Sequence, residues 1–251
     1  MSTILTRKGA DYSLNARTFV PPVTIGLIGW WYLGSLGADT PAQALARTTK
    51  NLAPGSTYVL SVAGNPTISS GYVTTGPTDY FTSTIPETDD FTVMGLVLPV
   101  VASGFLFGYP GPVGGAGHDT GVFSNVSTAT TVQSYVSRDT GGGTAAQYNT
   151  GTLTLGAGYT THRIISYKMI NSTLVTNLRD LTGGTSNAAA PATPPRLREG
   201  RIFRLGGRTT SPGTTRMAFA AVYNRSLSNA EEDSIRTFVA KYRLAKYGDV
   251  V

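Results

Sequence analysis

The strongest constraint on this chain is a series of short runs in which apolar and polar residues alternate, parted by Gly, Pro, Asn and Asp clusters at a spacing of roughly 10–15 residues. The runs are Ile25–Leu33, Thr57–Val62, Gly71–Thr74, Asp79–Thr82, Phe91–Pro99, Gly104–Gly108, Gly121–Asn125, Thr131–Arg138, Ala145–Asn149, Thr161–Ile170, Ser172–Leu178, Arg201–Gly206 and Arg216–Tyr223. Alternation sends successive side chains to opposite faces, so each run suits a strand with one buried face. A helical chain of this length needs many Glu/Lys pairs on its exposed faces. Here the only glutamates are Glu87, Glu199, Glu231 and Glu232. With 251 residues there is enough chain to bury a sizeable core. No repeat of 20–50 residues points to a propeller or solenoid. The pattern predicts an all-β, two-sheet antiparallel sandwich of the jelly-roll type.

Two helix starts interrupt the strand pattern. Thr40-Pro41-Ala42-Gln43 combines an N-cap threonine, a proline in the first turn and a box-closing glutamine, and predicts a short helix near 40–47. Ser228-Asn229-Ala230-Glu231 is a second capping box and predicts a C-terminal helix near 228–245. On that helix Ile235, Phe238, Val239 and Tyr242 form an i, i+3, i+4, i+7 stripe. Residues 1–24, basic at Arg7, Lys8 and Arg17 and stopped by Pro21-Pro22, read as an N-terminal arm before a sandwich spanning 25–251. Arm and stripe together predict docking into an assembly through Arg7, Lys8, Arg17, Ile235, Phe238 and Tyr242.

The ending Met217–Phe238 (MAFAAVYNRSLSNAEEDSIRTF) resembles the closing strand, turn and acid-rich helix of laminin-G-like domains in the concanavalin A-like lectin/glucanase superfamily. Earlier blocks fall in the same order: Gly26-Leu27-Ile28-Gly29-Trp30-Trp31, Ser70-Gly71-Tyr72-Val73 with Asp79-Tyr80-Phe81, Asp90-Phe91-Thr92-Val93-Met94, His162–Tyr167, Leu174–Leu178 and Phe203–Gly207. The resemblance implies a concanavalin A-like jelly roll. The family's tryptophan before the His162 block is absent, and its Asn-Gly hairpin turn is not clean.

Glucanases of this superfamily carry paired carboxylates on one strand, placed about 5 Å apart as nucleophile and acid. This chain has no such spacing; Glu87-Thr88-Asp89-Asp90 is the nearest cluster and reads as turn and solvation chemistry. Neither a nucleophile elbow nor a phosphate loop occurs. There is no Cys, so thiolate zinc sites and disulfides are excluded, and the two histidines, His118 and His162, are far apart. His162 reads as a structural histidine of a core strand. The expectation is a protein without catalytic residues.

Binding chemistry remains. Sugar stacking needs rings at loops and strand ends, which nominates Tyr109, Tyr135, Tyr148 and Tyr159, with the His118-Asp119 loop and with Arg138 or Arg208 for acidic groups. The resemblance adds calcium as an optional cofactor, with Asp89, Asp90, Asp119 and Asp139 as ligand candidates; the other use of each is a turn aspartate. The net charge of +6 rests on 20 Lys and Arg against 14 Asp and Glu, and Arg196–Arg216 reads as a solvent-facing basic run. No aromatic ladder interleaves with it, so nucleic acid is not an expected partner. No run is long enough for a membrane helix, and no signal peptide is read at the N-terminus.

A Cys-free, Gly/Ser/Thr-rich sandwich with an arm fits a bacteriophage virion component made in the host cytoplasm. The leading expectation is a homo-oligomeric surface protein, of tail-fibre or baseplate type, that binds host-surface polysaccharide or neighbouring virion subunits. Two alternatives stand beside it: a capsid decoration or scaffold protein with no ligand, and a divergent glycan-degrading enzyme.

Overall fold

The computed structural model describes residues 20–99, 104–113, 119–128, 130–139, 145–155, 161–173, 175–188, 200–207, 211–248 and 251. They form β1 (Leu27–Tyr32), α1 (Pro41–Thr49), β2 (Leu60–Ala63), β3 (Thr67–Ser69), β4 (Tyr72–Thr75), β5 (Tyr80–Pro86), β6 (Phe91–Pro99), β7 (Phe105–Val113) and β8 (Asp119–Thr128). The order continues with β9 (Thr131–Asp139), β10 (Ala145–Thr154), β11 (Arg163–Ile170), β12 (Val175–Asp180), β13 (Thr185–Ala188), β14 (Ile202–Leu205), β15 (Thr215–Tyr223) and α2 (Asn229–Tyr247). The architecture is the expected all-β sandwich with one short helix and one at the C-terminal end.

The eight-stranded sheet runs β13-β12-β11-β6-β15-β4-β3, with β1 beside β15. The seven-stranded sheet runs β10-β9-β8-β7-β14-β5-β2. β15 pairs with β6 along its whole length, while its other edge is divided between β4 and β1. Its sequence, TRMAFAAVY, is what a central strand with two covered faces needs: near-continuous apolar residues, small ones where a neighbouring layer approaches.

Two apolar layers result. Between the sheets, rings from both sides interleave. Trp31 of β1 stacks on Phe203 of β14 at 6.0 Å, Phe203 meets Tyr109 of β7 at 5.8 Å, and Tyr109 meets Phe91 of β6 at 5.3 Å. Phe91 in turn meets Tyr167 of β11 edge-on at 5.6 Å. The second layer lies on the other face of the eight-stranded sheet, where Trp30, Met94, Leu96, Ile164, Phe219 and Tyr223 receive Ile235 and Val239 of α2. Val23 and Val251 pack into this same layer, and the Tyr223 hydroxyl donates to the Val23 carbonyl at 3.0 Å.

The stripe on α2 is therefore spent on its own sheet. Ile235 is fully buried, Phe238 lies edge-on to Trp30 at 6.0 Å, and Tyr242 stacks on Tyr32 at 3.7 Å. This corrects the expectation that Ile235, Phe238 and Tyr242 face an assembly partner. The reason is the bare outer surface of β1 and β15, which needs an apolar cover. Arg7, Lys8 and Arg17 lie outside the described residues.

Charge also holds α2 down. Glu232, fully buried, accepts from the Ser166 hydroxyl at 2.5 Å and from Lys168 at 3.5 Å, and it pairs with Arg179. Lys168 donates further to the Leu227 carbonyl at 3.0 Å and to Asn229 at 3.2 Å. At the far end of the helix, Arg243 donates to the Gly71 carbonyl at 2.6 Å and stacks on Tyr247. Glu232 and Lys168 are thus matched by hydrogen bonds as well as by opposite charge, the condition for tolerating charge under cover.

Asn51 closes the exposed edge of β1. Its side chain accepts from Trp30 N–H at 3.0 Å and donates to the Ile28 carbonyl at 3.0 Å, in place of another strand. Helix α1 begins at the expected box, with Thr40 and Gln43 capping each other.

Replacing Glu232 by Ala leaves Lys168 covered without its counter-charge and Arg179 with only the exposed Asp233 at 3.6 Å, and we expect a loss of about 3–5 kcal/mol in urea unfolding. Asp233→Asn, at the exposed neighbouring position, is expected to change stability by only about 0.5 kcal/mol. Equal effects from the two variants would refute the role given to Glu232.

Candidate functional site

The inner faces of both sheets and the outer face of the eight-stranded sheet are occupied by apolar packing. The outer face of the seven-stranded sheet is different: among the described residues, no hydrophobic cluster forms on it. Its surface is assembled by alternation. On β9, Val132, Ser134 and Val136 point inward and are buried, which sends Thr131, Gln133 and Tyr135 outward. On β14, Phe203 and Leu205 point inward, which sends Arg204 outward. On β5, Phe81, Ser83 and Ile85 are inward, leaving Tyr80, Thr82 and Thr84 outward.

Cross-strand register joins these positions into rows. Asn149 of β10 faces Tyr135, Tyr135 faces Phe123 of β8, Phe123 faces Gly108 of β7, Gly108 faces Arg204, and Arg204 faces Thr82. One row over, Thr152 faces Gln133, which faces Asn125. The Tyr135 hydroxyl donates to the Gln133 side chain at 2.6 Å, and the Gln133 amide donates to Thr152 at 3.3 Å. This chain of groups holds a half-buried ring and an amide in fixed orientation on the open sheet. At the other end of the face, the Arg204 guanidinium lies 5.2 Å from the centre of the Tyr80 ring.

The residues nominated from sequence are scattered by the fold. Tyr135 alone of the sugar-stacking tyrosines has a described side chain on the open face. Tyr109 is fully buried among Phe91 and Phe203 and presents no ring to a ligand, which corrects its nomination. The reason is that β7 continues past Gly108, where the sequence run ends, through Tyr109 and Pro110, with a register irregularity between Pro110 and Val113. Arg138 shares the inward parity of Val136 and is fully buried, so it is not offered to an acidic sugar from the surface. Tyr148 and Asp119 lie in β10 and β8, where only the backbone is described. His118, Tyr159 and Arg208 lie outside the described residues.

For calcium, Asp89 and Asp90 occupy the β5–β6 connection, while Asp119 and Asp139 sit at the open end of the β8–β9 hairpin. Asp90 accepts from the Asn171 N–H at 2.7 Å. Among the described residues no three acidic or imidazole side chains converge as a metal site.

Several polar residues behave differently from their sequence reading. Glu87, read as a solvated turn residue, is buried and paired with Arg201 at 3.2 Å. Arg201, Arg204 and Arg216 belong to the run expected to face solvent. In the fold Arg201 is buried, and the other two lie on tyrosine rings, Arg216 at 5.0 Å from the centre of Tyr72. His162 is half-buried just before β11, its ring 6.3 Å from that of Tyr72.

A cleft of about 360 Å³ opens elsewhere, between Pro22–Ile25 and the start of α2. Its polar wall is the Arg225–Glu231 pair, whose contacts are 2.5 and 3.2 Å. The hydrogen bonds from Arg225, and then from the Ser228 N–H, hold the Glu231 carboxyl down at about 2. Both groups are already matched to each other, so the cleft offers a ligand little unspent polarity.

No protein-family model and no curated protein sequence matches the chain. Solved structures do match in fold. The binding domain of botulinum neurotoxin serotype D aligns with a TM-score of 0.61 at 7% identity, over 86% of this chain and 51% of that one. The binding domain of Paraclostridial Mosquitocidal Protein 1 gives 0.57 at 13% identity, over 86% and 52%. A Trypanosoma rangeli sialidase gives 0.53 at 12% identity, over 86% and 33%. The chain thus spans about half the length of the toxin-domain chains. At these identities the likeness establishes the β-sandwich fold.

The Arg225–Glu231 pair gives stability a defined acid limb. Above the ordinary glutamate value of 4.5 the carboxylate is ionised in folded and unfolded chains, and the pair contributes fully. Between there and about 2 the unfolded chain takes up the proton first, so stability falls with pH. Glu231→Gln keeps the capping geometry but removes the titration. We expect its unfolding free energy to lose about 0.5–1 kcal/mol less than wild type across this window, the scale of a partly exposed pair. Identical pH profiles for the two chains would contradict this assignment.

Proposed function

We propose that this chain is a non-catalytic, lectin-like receptor-binding domain whose glycan site is the open outer face of the seven-stranded sheet. The observation that carries the reading is the Tyr135–Gln133–Thr152 chain on a sheet face that no described element covers. A ring beside oriented amide and hydroxyl groups is the chemistry of sugar recognition: the ring packs on the C–H face of a pyranose, and the polar groups take its hydroxyls. The fold likeness supports the reading by analogy. Neurotoxin structures of this fold are described as receptor-binding domains, and one serotype D ligand-binding domain is in complex with N-acetylneuraminic acid.

The non-catalytic part of the reading is supported by how the described carboxylates are used. Glu232 anchors α2, Glu87 pairs with Arg201, Asp180 with Arg163, and Glu231 with Arg225. Paired acids of a glycosidase need one group free to donate and one free to attack. Sialidase neighbours share the fold at a lower score, and they add no such pair to this chain.

The setting we propose is the surface of a bacteriophage particle, in a homo-oligomeric tail-fibre or baseplate protein, with host-surface polysaccharide and neighbouring virion subunits as partners. It rests on the composition of the chain and on the laminin-G-like order of its sequence blocks. The scaffold alternative loses the helix stripe on which it leaned, because α2 is consumed inside the domain.

The test is a glycan array read with wild type, Tyr135→Ala and Gln133→Ala. We expect wild type to bind a defined group of glycans and both variants to bind them about tenfold more weakly or worse, while Tyr109→Phe binds as wild type. Silence of wild type across the array, or release of reducing ends from any bound glycan, would sink the proposal.

A further inference from the structure

Arg204 stands apart from the carboxylate-paired arginines, and on the eight-stranded sheet Arg216 is its counterpart, also set against a tyrosine ring. Arg47, Arg163, Arg179, Arg201 and Arg225 are each paired with a carboxylate of the chain. Arg204 is not: its Nε is shielded from solvent without a hydrogen-bond partner, and its one contact of note is the Tyr80 ring. A cation kept on an open sheet face with no acid beside it, in a chain that matches those other arginines to acids, is an unfilled demand for an anion.

The surroundings fix how that demand is presented. Gly207, at φ +77°, has no side chain because a Cβ there would come 2.1 Å from Tyr80 Cγ. The Tyr80 ring thus lies against the Gly207 backbone, with the Arg204 guanidinium carbon 5.2 Å from its centre. The cation–π contact restrains the guanidinium before any ligand arrives, which lowers the ordering cost of binding. On the β7 side the register partner is Gly108, which has no side chain to pair with the guanidinium. A planar fork of donors suits a planar, two-oxygen acceptor.

We propose that Arg204, set against the Tyr80 ring, is a carboxylate subsite, and that the glycan taken by this face is an acidic oligosaccharide. This rests on the proposed glycan site and specifies its ligand. Arg204 and Tyr135 stand in one row, separated by three strand spacings, roughly 14 Å. That distance exceeds one pyranose ring, so the ligand has at least two sugars, one carboxylate on Arg204 and a neutral ring toward Tyr135, lying across the strands.

The experiment is isothermal titration calorimetry with two matched pairs: tetragalacturonate against its carboxyl-reduced form, and sialyllactose against lactose. The pairs separate a polyuronate from a terminal acidic sugar as the source of the carboxylate. Proteins are wild type, Arg204→Gln, Arg204→Lys and, as a control of equal charge change on the opposite sheet, Arg216→Gln. We expect the acidic member of at least one pair to bind about ten- to a hundredfold tighter than its neutral partner, the range for a charge-assisted pair. That preference should vanish in Arg204→Gln, fall in Arg204→Lys, which keeps the charge without the fork, and persist in Arg216→Gln. Equal binding of acidic and neutral members overturns the carboxylate subsite while leaving the glycan site standing, and so does a preference lost equally in Arg216→Gln. Silence of both pairs overturns the subsite; silence of the entire array overturns the glycan site with it.

Discussion

The column of interleaved rings between the sheets sets the terms for everything outside it. Trp31, Phe91 and Tyr167 come from one sheet, and Phe203 and Tyr109 from the other. Edge-to-face and offset contacts of this kind need each ring at a particular height along its strand, so they lock the register of β1, β6, β7, β11 and β14 together. Once Phe203 is committed inward, Arg204 must face outward; once Val136 is inward, Tyr135 must face outward. The chemistry of the open face is the other parity of the core.

Much of the fold was legible in the sequence because the alternation that marks a strand is the same alternation that builds this core. Thirteen strands follow the apolar runs, and both helices start at their capping boxes. β3 and β13 were not visible. At three and four residues, TIS and TSNA are short and largely polar, and cross-strand pairing to β4 and β12 alone makes them strands. The end of β7 was misread for the opposite reason, since its Gly and Pro residues signal a turn while the sheet absorbs them in an irregularity.

The site was less legible because parity, once a strand is known, still needs a neighbouring layer to say which face is covered. Tyr109 and Arg138 looked like surface residues at the ends of strands and proved to be interior. Arg204 was hidden in a run of arginines whose separate fates depend on distant partners: Glu87 for Arg201, Tyr80 for Arg204, Tyr72 for Arg216. Glu232 looked like an ordinary first-turn acid of a helix. Only the placement of Ser166, Lys168 and Arg179 on the outer face of β11 and β12 turns it into an anchor. Long-range pairing of this kind leaves no periodic mark in sequence.

The packing of Val23 and Val251 in the layer beneath α2 joins segments that lie far apart in sequence. Both are on the side of the eight-stranded sheet that faces away from the seven-stranded one. The helix, the segment before β1 and Val251 therefore share one apolar layer, so loosening any of them wets the same rings. That layer closes only when distant parts of the chain have met, and its order reports on the folding of the whole sandwich.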